Sequence, residues 1–148
     1  MEALPLDKPV ISRSVNETES LAATFYGMIK PDAVVGLYGS LGAGKTCFVR
    51  GVARAAGVDA DAVNSPSFTL INEYPGGETP IIHFDLYRFT RPNEYETLGA
   101  DEYFMHEGIV LIEWAEHAED YLPGDRYNIH FEVIDETSRR LVITRMKS

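Results

Sequence analysis

The sequence predicts an α/β fold with a mixed sheet of about seven strands. Three observations support this prediction: apolar runs of strand length recur along the chain, segments of helical periodicity separate them, and two alternating runs close the chain around a turn. The chain has 148 residues, of which 45% are hydrophobic, and it shows no internal repeat or linker. We therefore expect residues 1–148 to form a single domain with one sizeable core.

The first half of the chain is predicted to supply a helix, a buried strand and a second helix. The stretch NETESLAATFYGMIK has a helical pattern, with Asn16 as its expected cap and Glu19 as the partner in a capping box. The apolar run AVVGLY at 33–38 has the length of a buried strand. Helical character resumes over residues 45–56 and is expected to stop at Gly57, because glycine is favoured directly after a helix.

The second half is predicted to be richer in strands. The runs FTLINEY and PIIHFDLY are joined by PGGET and are expected to form a hairpin. The segment RPNEYETLGADEYF is expected to form one or two short helices, and AEHAEDYL another. GIVLIEW is a further apolar run of strand length. RYNIHFEVI and RRLVITRM alternate on either side of DETS, so they should close the sheet as an antiparallel pair.

Composition and charge exclude several classes of protein. The net charge is −10, whereas a protein that grips a nucleic acid backbone by itself carries a basic face. The basic cluster near the C-terminus is expected to be a solvated strand face, so any RNA would be held mainly by another subunit; the cluster is Arg139, Arg140, Arg145 and Lys147. A single cysteine, no apolar run of membrane-spanning length and no secretion-signal layout predict a cytoplasmic protein without a membrane partner.

One stretch, LYGSLGAGKTCFVRG, places four glycines around a lysine directly after an apolar run. Gly39, Gly44, Lys45 and Thr46 fit the pattern G-x-x-x-x-G-K-[ST] in full. Glycines at this spacing let backbone N–H groups surround phosphate oxygens, and the helix that follows adds its positive end. The lysine can reach the β- and γ-phosphates, and the threonine hydroxyl can bind Mg²⁺. The stretch therefore predicts a nucleotide-binding loop.

Two carboxylates stand where apolar strands end. Asp85 closes IIHFD and Glu113 closes IVLIE, and ligands of open α/β sheets bind at the carboxyl ends of strands. We therefore predict that both acids act with Lys45 as catalytic residues that manage Mg²⁺ and the attacking water. His83 is expected to be a packed strand histidine, and Cys47 a small packing residue at the start of a helix.

The motifs LYGSLGAGKTCFVRG, SPSFTLINEY, HFDLYR and LIEWAE occur in this order between residues 37 and 116, within a family resemblance that covers about residues 16–116. In that combination the chain resembles the TsaE (YjeE) family, small bacterial ATPases needed for threonylcarbamoyladenosine modification of tRNA. The resemblance implies a P-loop NTPase-like three-layer sandwich that uses ATP and Mg²⁺. The family's usual residues are replaced at three positions, with Ser40 for aspartate, Cys47 for threonine and Ser67 for threonine.

The resemblance also implies roles for single residues. Thr46 and Glu113 are the implied Mg²⁺ ligands, while Asp85 helps to orient water or metal. Thr18, ahead of the first helix, matches a threonine near the adenine, and Arg88 matches a basic residue near the site. The implied nucleotide-binding positions are Thr18, Ser40, Leu41, Gly42, Ala43, Gly44, Lys45, Thr46 and Cys47. Ser65 and Ser67 lie in a loop that resembles a γ-phosphate sensor.

The partners implied by the resemblance are the TsaB and TsaD proteins, with tRNA reached only through them. The expected activity is an ATPase that is slow alone and is stimulated by these partners. Two alternatives remain open: a small-molecule kinase and a nucleotide-dependent switch. The sequence shows no arginine-rich lid segment, which such a kinase uses, and no N-K-x-D motif, which a GTPase switch uses.

Overall fold

The computed structural model of the chain describes residues 3–40, 42–59, 61, 63, 71–75, 77–88 and 108–147. Within these ranges, seven strands form one mixed sheet, accompanied by two α-helices and a 3₁₀ segment. The elements are β1 Pro9–Ser12, α1 Val15–Tyr26, β2 Val34–Tyr38, α2 Lys45–Ala55, β3 Ile71–Tyr74, β4 Ile81–Asp85, β5 Ile109–Glu113, the 3₁₀ segment Ala115–Tyr121, β6 Arg126–Val133 and β7 Arg139–Met146. None of the helices in the described ranges has the length and apolarity that a membrane span requires.

The order of strands across the sheet is β1-β7-β6-β2-β5-β4-β3. The four central strands β6, β2, β5 and β4 are parallel, and antiparallel neighbours flank them on both sides. This confirms the predicted mixed sheet of about seven strands. Because the central strands are parallel, their carboxyl ends meet at one edge, where open α/β sheets place their ligands.

Apolar clusters on both faces of the sheet make the fold three-layered. On one face α1 and α2 pack together through Phe25 and Phe48, whose ring centroids lie 5.6 Å apart. On the other face Ala115 and Ala118 of the 3₁₀ segment belong to the same apolar cluster as Phe84 of β4. Strands β2, β4 and β5 are buried along their whole length, as parallel strands covered on both faces must be.

The start of the chain differs from the sequence-based expectation in two respects. The cap of α1 is Ser14 rather than Asn16: its backbone is extended, and its hydroxyl accepts from the Glu17 N–H at 3.0 Å. Ser14 and Glu17 have the spacing of a capping box, and they lie two residues upstream of the expected pair. Because the helix begins at Val15, Thr18 lies inside it and not ahead of it. The sequence also did not locate β1, because four residues that pair only with β7 carry too short a pattern.

Most other predicted elements are confirmed. The hairpin of β3 and β4 pairs Tyr74 with Ile81, and the closing antiparallel pair opposes Val133 to Arg139. Helix α2 ends just before Gly57, whose N–H donates to the Arg54 carbonyl at 3.0 Å. Several predictions lie outside the described residues: the helices of RPNEYETLGADEYF, the strand start at 68–70, and the sensor residues Ser65 and Ser67.

Candidate functional site

The glycine loop joins the end of β2 to the start of α2 at the carboxyl edge of the sheet. Gly44 occupies the N-cap of α2 with φ 100°, and no side chain caps this helix end. At Gly39, where φ is 149°, a Cβ atom would lie 2.7 Å from the Phe131 carbonyl oxygen. The backbone conformation thus requires glycine at both positions. The uncapped helix end can offer its N–H groups and its positive dipole to an anion.

A cavity of about 480 Å³ opens beside this loop, within the usual range for small-molecule sites. It brings together the loop and the two strand ends. The described residues that line it are Gly42, Ala43, Gly44, Lys45, Thr46, Cys47, Asp85, Tyr87, Arg88, Glu113 and Trp114.

Lys45 lies in this cavity with only 4% of its surface exposed. Its Nζ donates to the Gly39 carbonyl at 2.5 Å and lies 3.3 Å from the centre of the Trp114 ring. Burial lowers the pKa of Lys45, while the carboxylates of Glu116, Glu113 and Asp85 act in the opposite direction. A partly desolvated ammonium at the mouth of a glycine loop is suited to bind an anion such as a phosphate.

Glu113 at the end of β5 contacts the first turn of α2. The Thr46 hydroxyl lies 2.9 Å from Glu113 Oε1 and 2.8 Å from Oε2, and it donates to this carboxylate. Asp85 lies opposite Glu113 in the β4–β5 register, and its Oδ1 accepts from the Tyr87 N–H at 2.9 Å. These oxygen donors fit Mg²⁺, which is held by one or two carboxylates together with substrate phosphates and water.

The described part of the chain contains no group of three or more His, Cys, Asp or Glu side chains that could hold a metal ion by itself. A hard cation at Thr46 and Glu113 would therefore depend on ligand phosphates and water for its remaining coordination. This donor set is the one expected where metal and nucleotide bind together.

His83 is packed as predicted, being fully buried on β4, but it also contacts the site. Its Nε2 lies 2.5 Å from Glu113 Oε2, and its Nδ1 lies 3.1 Å from the Tyr74 hydroxyl. An ionised carboxylate only accepts, so Nε2 is the donor in this pair. Asn72 Nδ2 adds a further hydrogen bond to this series by donating to Tyr74 Oη at 3.3 Å. His83 thus orients the Glu113 carboxylate, a role that its spacing of two from Asp85 on the same strand could have indicated.

Two of the predicted nucleotide-binding residues, Thr18 and Ser40, are not among the described residues that line the cavity. The Thr18 hydroxyl is buried 2.6 Å from Ser12 Oγ, and Thr18 is not among the described residues that line the cavity. Ser40 is exposed and likewise absent from that lining, while its carbonyl accepts from the Ala43 N–H at 3.1 Å. Leu41 lies outside the described residues.

Cys47 lines the cavity as a half-buried thiol rather than a thiolate. Burial raises its pKa to about 11, which outweighs the favourable position at the start of α2. Its Sγ lies 3.5 Å from the Val15 carbonyl oxygen, to which it donates. At neutral pH Cys47 therefore contributes packing and a weak donor rather than a negative charge.

The C-terminal basic cluster is only in part the solvated strand face predicted from the sequence. Arg139 Nη2 donates to the Gly42 carbonyl of the glycine loop at 3.1 Å. Arg140 pairs with Glu132 at 3.2 Å, and Arg145 pairs with Asp125 at 2.5 Å. Arg139 thus connects the β6–β7 hairpin to the glycine loop, a contact that the sequence pattern did not indicate.

The architecture and the site together define a mixed α/β protein whose glycine loop, with the pattern G-x-x-x-x-G-K-[ST], faces two strand-end carboxylates. Comparison with known proteins identifies the group more narrowly. A family model described as "Threonylcarbamoyl adenosine biosynthesis protein TsaE" matches residues 12–141. The chain belongs to the TsaE family.

Individual relatives agree with this assignment. The chain is 42% identical over 134 residues to the tRNA threonylcarbamoyladenosine biosynthesis protein TsaE of Bacillus subtilis, covering 89% of this chain and 83% of the relative. It is 38% identical over 143 residues to the protein of the same description from Aquifex aeolicus, covering 96% and 99%. The crystal structure of Bacillus subtilis YdiB superposes with a TM-score of 0.78 at 34% identity, covering 95% of this chain and 86% of YdiB.

Proposed function

We propose that this chain binds ATP with Mg²⁺ and hydrolyses ATP as a subunit required for threonylcarbamoyladenosine modification of tRNA. The observation that supports ATP binding most directly is the meeting of three groups in one cavity. These are the buried ammonium of Lys45, the uncapped start of α2 at Gly44, and the Thr46–Glu113 pair. The names of the relatives support the assignment to tRNA modification.

In this proposal each group has a distinct task. Backbone N–H groups of the glycine loop and of the start of α2 bind phosphate oxygens, and Lys45 adds a positive charge beside them. Thr46 and Glu113 hold Mg²⁺, which when bound neutralises charge on the phosphates. Asp85, buried at the end of β4 and held by the Tyr87 N–H, orients the attacking water. Catalysis rests on positioning and electrostatics, as is usual in phosphoryl transfer.

We further propose that the chain acts on a complex of the TsaB and TsaD proteins and meets tRNA only through them. The net charge of −10 argues against direct binding of an RNA backbone. The arginines of the basic cluster are also engaged within the chain, by the glycine loop and by carboxylates.

The expected result is slow phosphate release from the chain alone and a rise of about tenfold or more when the TsaB–TsaD complex is added. A group supplied in trans can accelerate phosphoryl transfer by about 10³ to 10⁵, so such a rise is well within reach. Steady-state phosphate release from ATP, with and without the partner complex, measures it.

Bovine serum albumin at the same mass concentration controls for non-specific stabilisation. A fast isolated enzyme that ignores the partners would contradict the proposal. A phosphorylated metabolite among the products would indicate a kinase instead. Nucleotide binding without phosphate release in any condition would indicate a switch.

His83→Phe is expected to raise the Mg²⁺ concentration needed for half-maximal ATPase activity by about 10- to 100-fold, the usual effect of removing a hydrogen-bond partner from a metal ligand. Phenylalanine fills the space but removes the donor to Glu113 Oε2. His83→Gln, which retains an N–H donor, should recover part of the loss. A Mg²⁺ titration at fixed ATP measures the effect, and circular dichroism checks the fold. If both variants titrate like the wild type, His83 does not orient the metal ligand.

A further inference from the structure

Trp114 follows Glu113 directly and is the single tryptophan of the chain. Its backbone has φ 59° and ψ 41°, the left-handed region that bulky residues rarely adopt. A strained conformation of this kind persists only where the surroundings hold it, and such residues cluster at functional sites. The strained backbone at Trp114 therefore indicates that this residue has a functional role.

Two aromatic side chains from different parts of the sequence contact the indole ring. The Tyr87 ring lies 4.9 Å from it between centroids, and the His117 ring lies 5.6 Å away at an interplanar angle of 29°. His117 is itself fixed, because its backbone N–H donates to the Trp114 carbonyl at 3.0 Å and its Nδ1 lies 2.7 Å from the Leu86 carbonyl oxygen. These contacts therefore hold the indole ring in one orientation, so that it does not rotate freely.

This surface meets the ammonium of Lys45. Nζ lies 3.3 Å from the centre of the ring, well inside the range of a cation–π interaction, and tryptophan is the best aromatic partner for a cation. The same nitrogen donates to the Gly39 carbonyl at 2.5 Å. An ammonium has three N–H donors, so one carbonyl and one ring face leave a donor for a further acceptor.

We propose that Trp114 is a positioning residue for phosphate binding: its ring holds the Lys45 ammonium against the Gly39 carbonyl before any ligand arrives. This inference rests on the proposed nucleotide binding at the same site. A lysine side chain carries large rotamer entropy, and an ammonium already fixed in the loop loses less of it when a phosphate binds. The ring carries no charge, so it orients the cation without neutralising it.

Calorimetric titration with ADP tests the contribution to affinity without turnover. Trp114→Leu removes the aromatic face, and we expect it to weaken ADP binding by about tenfold. Trp114→Phe keeps an aromatic face at the same position and should bind within about threefold of the wild type. Leucine binding as tightly as the wild type, or more tightly, would overturn the proposal, because the ring would then be neutral or would compete with the phosphates.

A second measurement tests the contact without any nucleotide. The chain has only four lysines, Lys8, Lys30, Lys45 and Lys147, so their ¹³C-labelled ε-methylene signals can be assigned by substitution. Stacking on the indole should move the Lys45 ε-protons upfield in the free wild-type protein, and Trp114→Leu should abolish that shift. Lys45 ε-protons at ordinary positions in the folded wild type would overturn the proposal even if the leucine variant did not fold.

The two measurements separate the two proposals. If the wild type does not bind ADP but shows the upfield shift, nucleotide binding fails while Trp114 still holds Lys45. If the wild type binds ADP without the shift, nucleotide binding stands and the positioning role of Trp114 is wrong.

Discussion

Lys45→Ala is expected to weaken the binding of a non-hydrolysable ATP analogue by more than about thirtyfold and to abolish most hydrolysis. Truncating one partner of a buried, hydrogen-bonded charge pair costs about 2–5 kcal/mol. Lys45 is positioned to form such a pair, because its ammonium is buried and faces the mouth of the glycine loop. Isothermal titration calorimetry with the analogue and Mg²⁺ measures the loss.

The free protein should tolerate this substitution better than its ligand complex does. Burial lowers the pKa of Lys45, which means that the surroundings disfavour the charged form relative to water. Removing the charge therefore relieves part of a desolvation cost, although the contact with the Trp114 ring is lost. The loss in free energy of unfolding of the ligand-free protein, followed by its thermal midpoint, should consequently be much smaller than the loss in free energy of nucleotide binding.

Lys30→Ala provides a matched control, because it removes the same charge from an exposed position that lines a different cavity. It should leave nucleotide affinity unchanged. Wild-type affinity in a folded Lys45→Ala protein would remove the phosphate-binding role of the lysine. Equal losses in both variants would indicate an effect of overall charge rather than of the loop.

Glu113→Gln is expected to raise the Mg²⁺ concentration required for activity by at least about tenfold, while the fold survives. The carboxamide has almost the same shape but carries no charge for the metal. The Thr46 hydroxyl and His83 Nε2 both bond to this carboxylate, and the glutamine oxygen can still accept from one or both of them. The Thr46 hydroxyl can turn to accept from the new NH₂ group, so one of the two new N–H donors has a partner at this position.

Asp85→Asn is the matched control for this second prediction, because it makes the same change of charge directly across the β4–β5 register. If Glu113 is the metal ligand and Asp85 orients water, the glutamine variant should shift the Mg²⁺ titration and the asparagine variant should mainly lower the maximal rate. The reverse pattern would transfer the metal role to Asp85. Thermal denaturation of both variants shows whether the fold is kept.

The class of fold and much of the candidate site could be read from the sequence because the relevant signals are local. The spacing from Gly39 to Thr46 specifies a loop by itself, since each glycine acts on its own backbone. Asp85 and Glu113 were recognisable because apolar runs lead directly into them. The short strand β1 was missed because its four residues carry little local pattern.

What the sequence by itself determined about this protein is therefore the glycine pattern of its loop and the acids at the ends of its strands. Only the tertiary structure decided which side chains support them: His83 on Glu113, Trp114 on Lys45, and Arg139 on the Gly42 carbonyl. These pairs are 30, 69 and 97 residues apart in the chain, as the differences 113 − 83, 114 − 45 and 139 − 42 show. Local periodicity determines which face of its own strand or helix a residue occupies. Contacts over such separations depend on the order and register in which the strands assemble, and no local pattern specifies these.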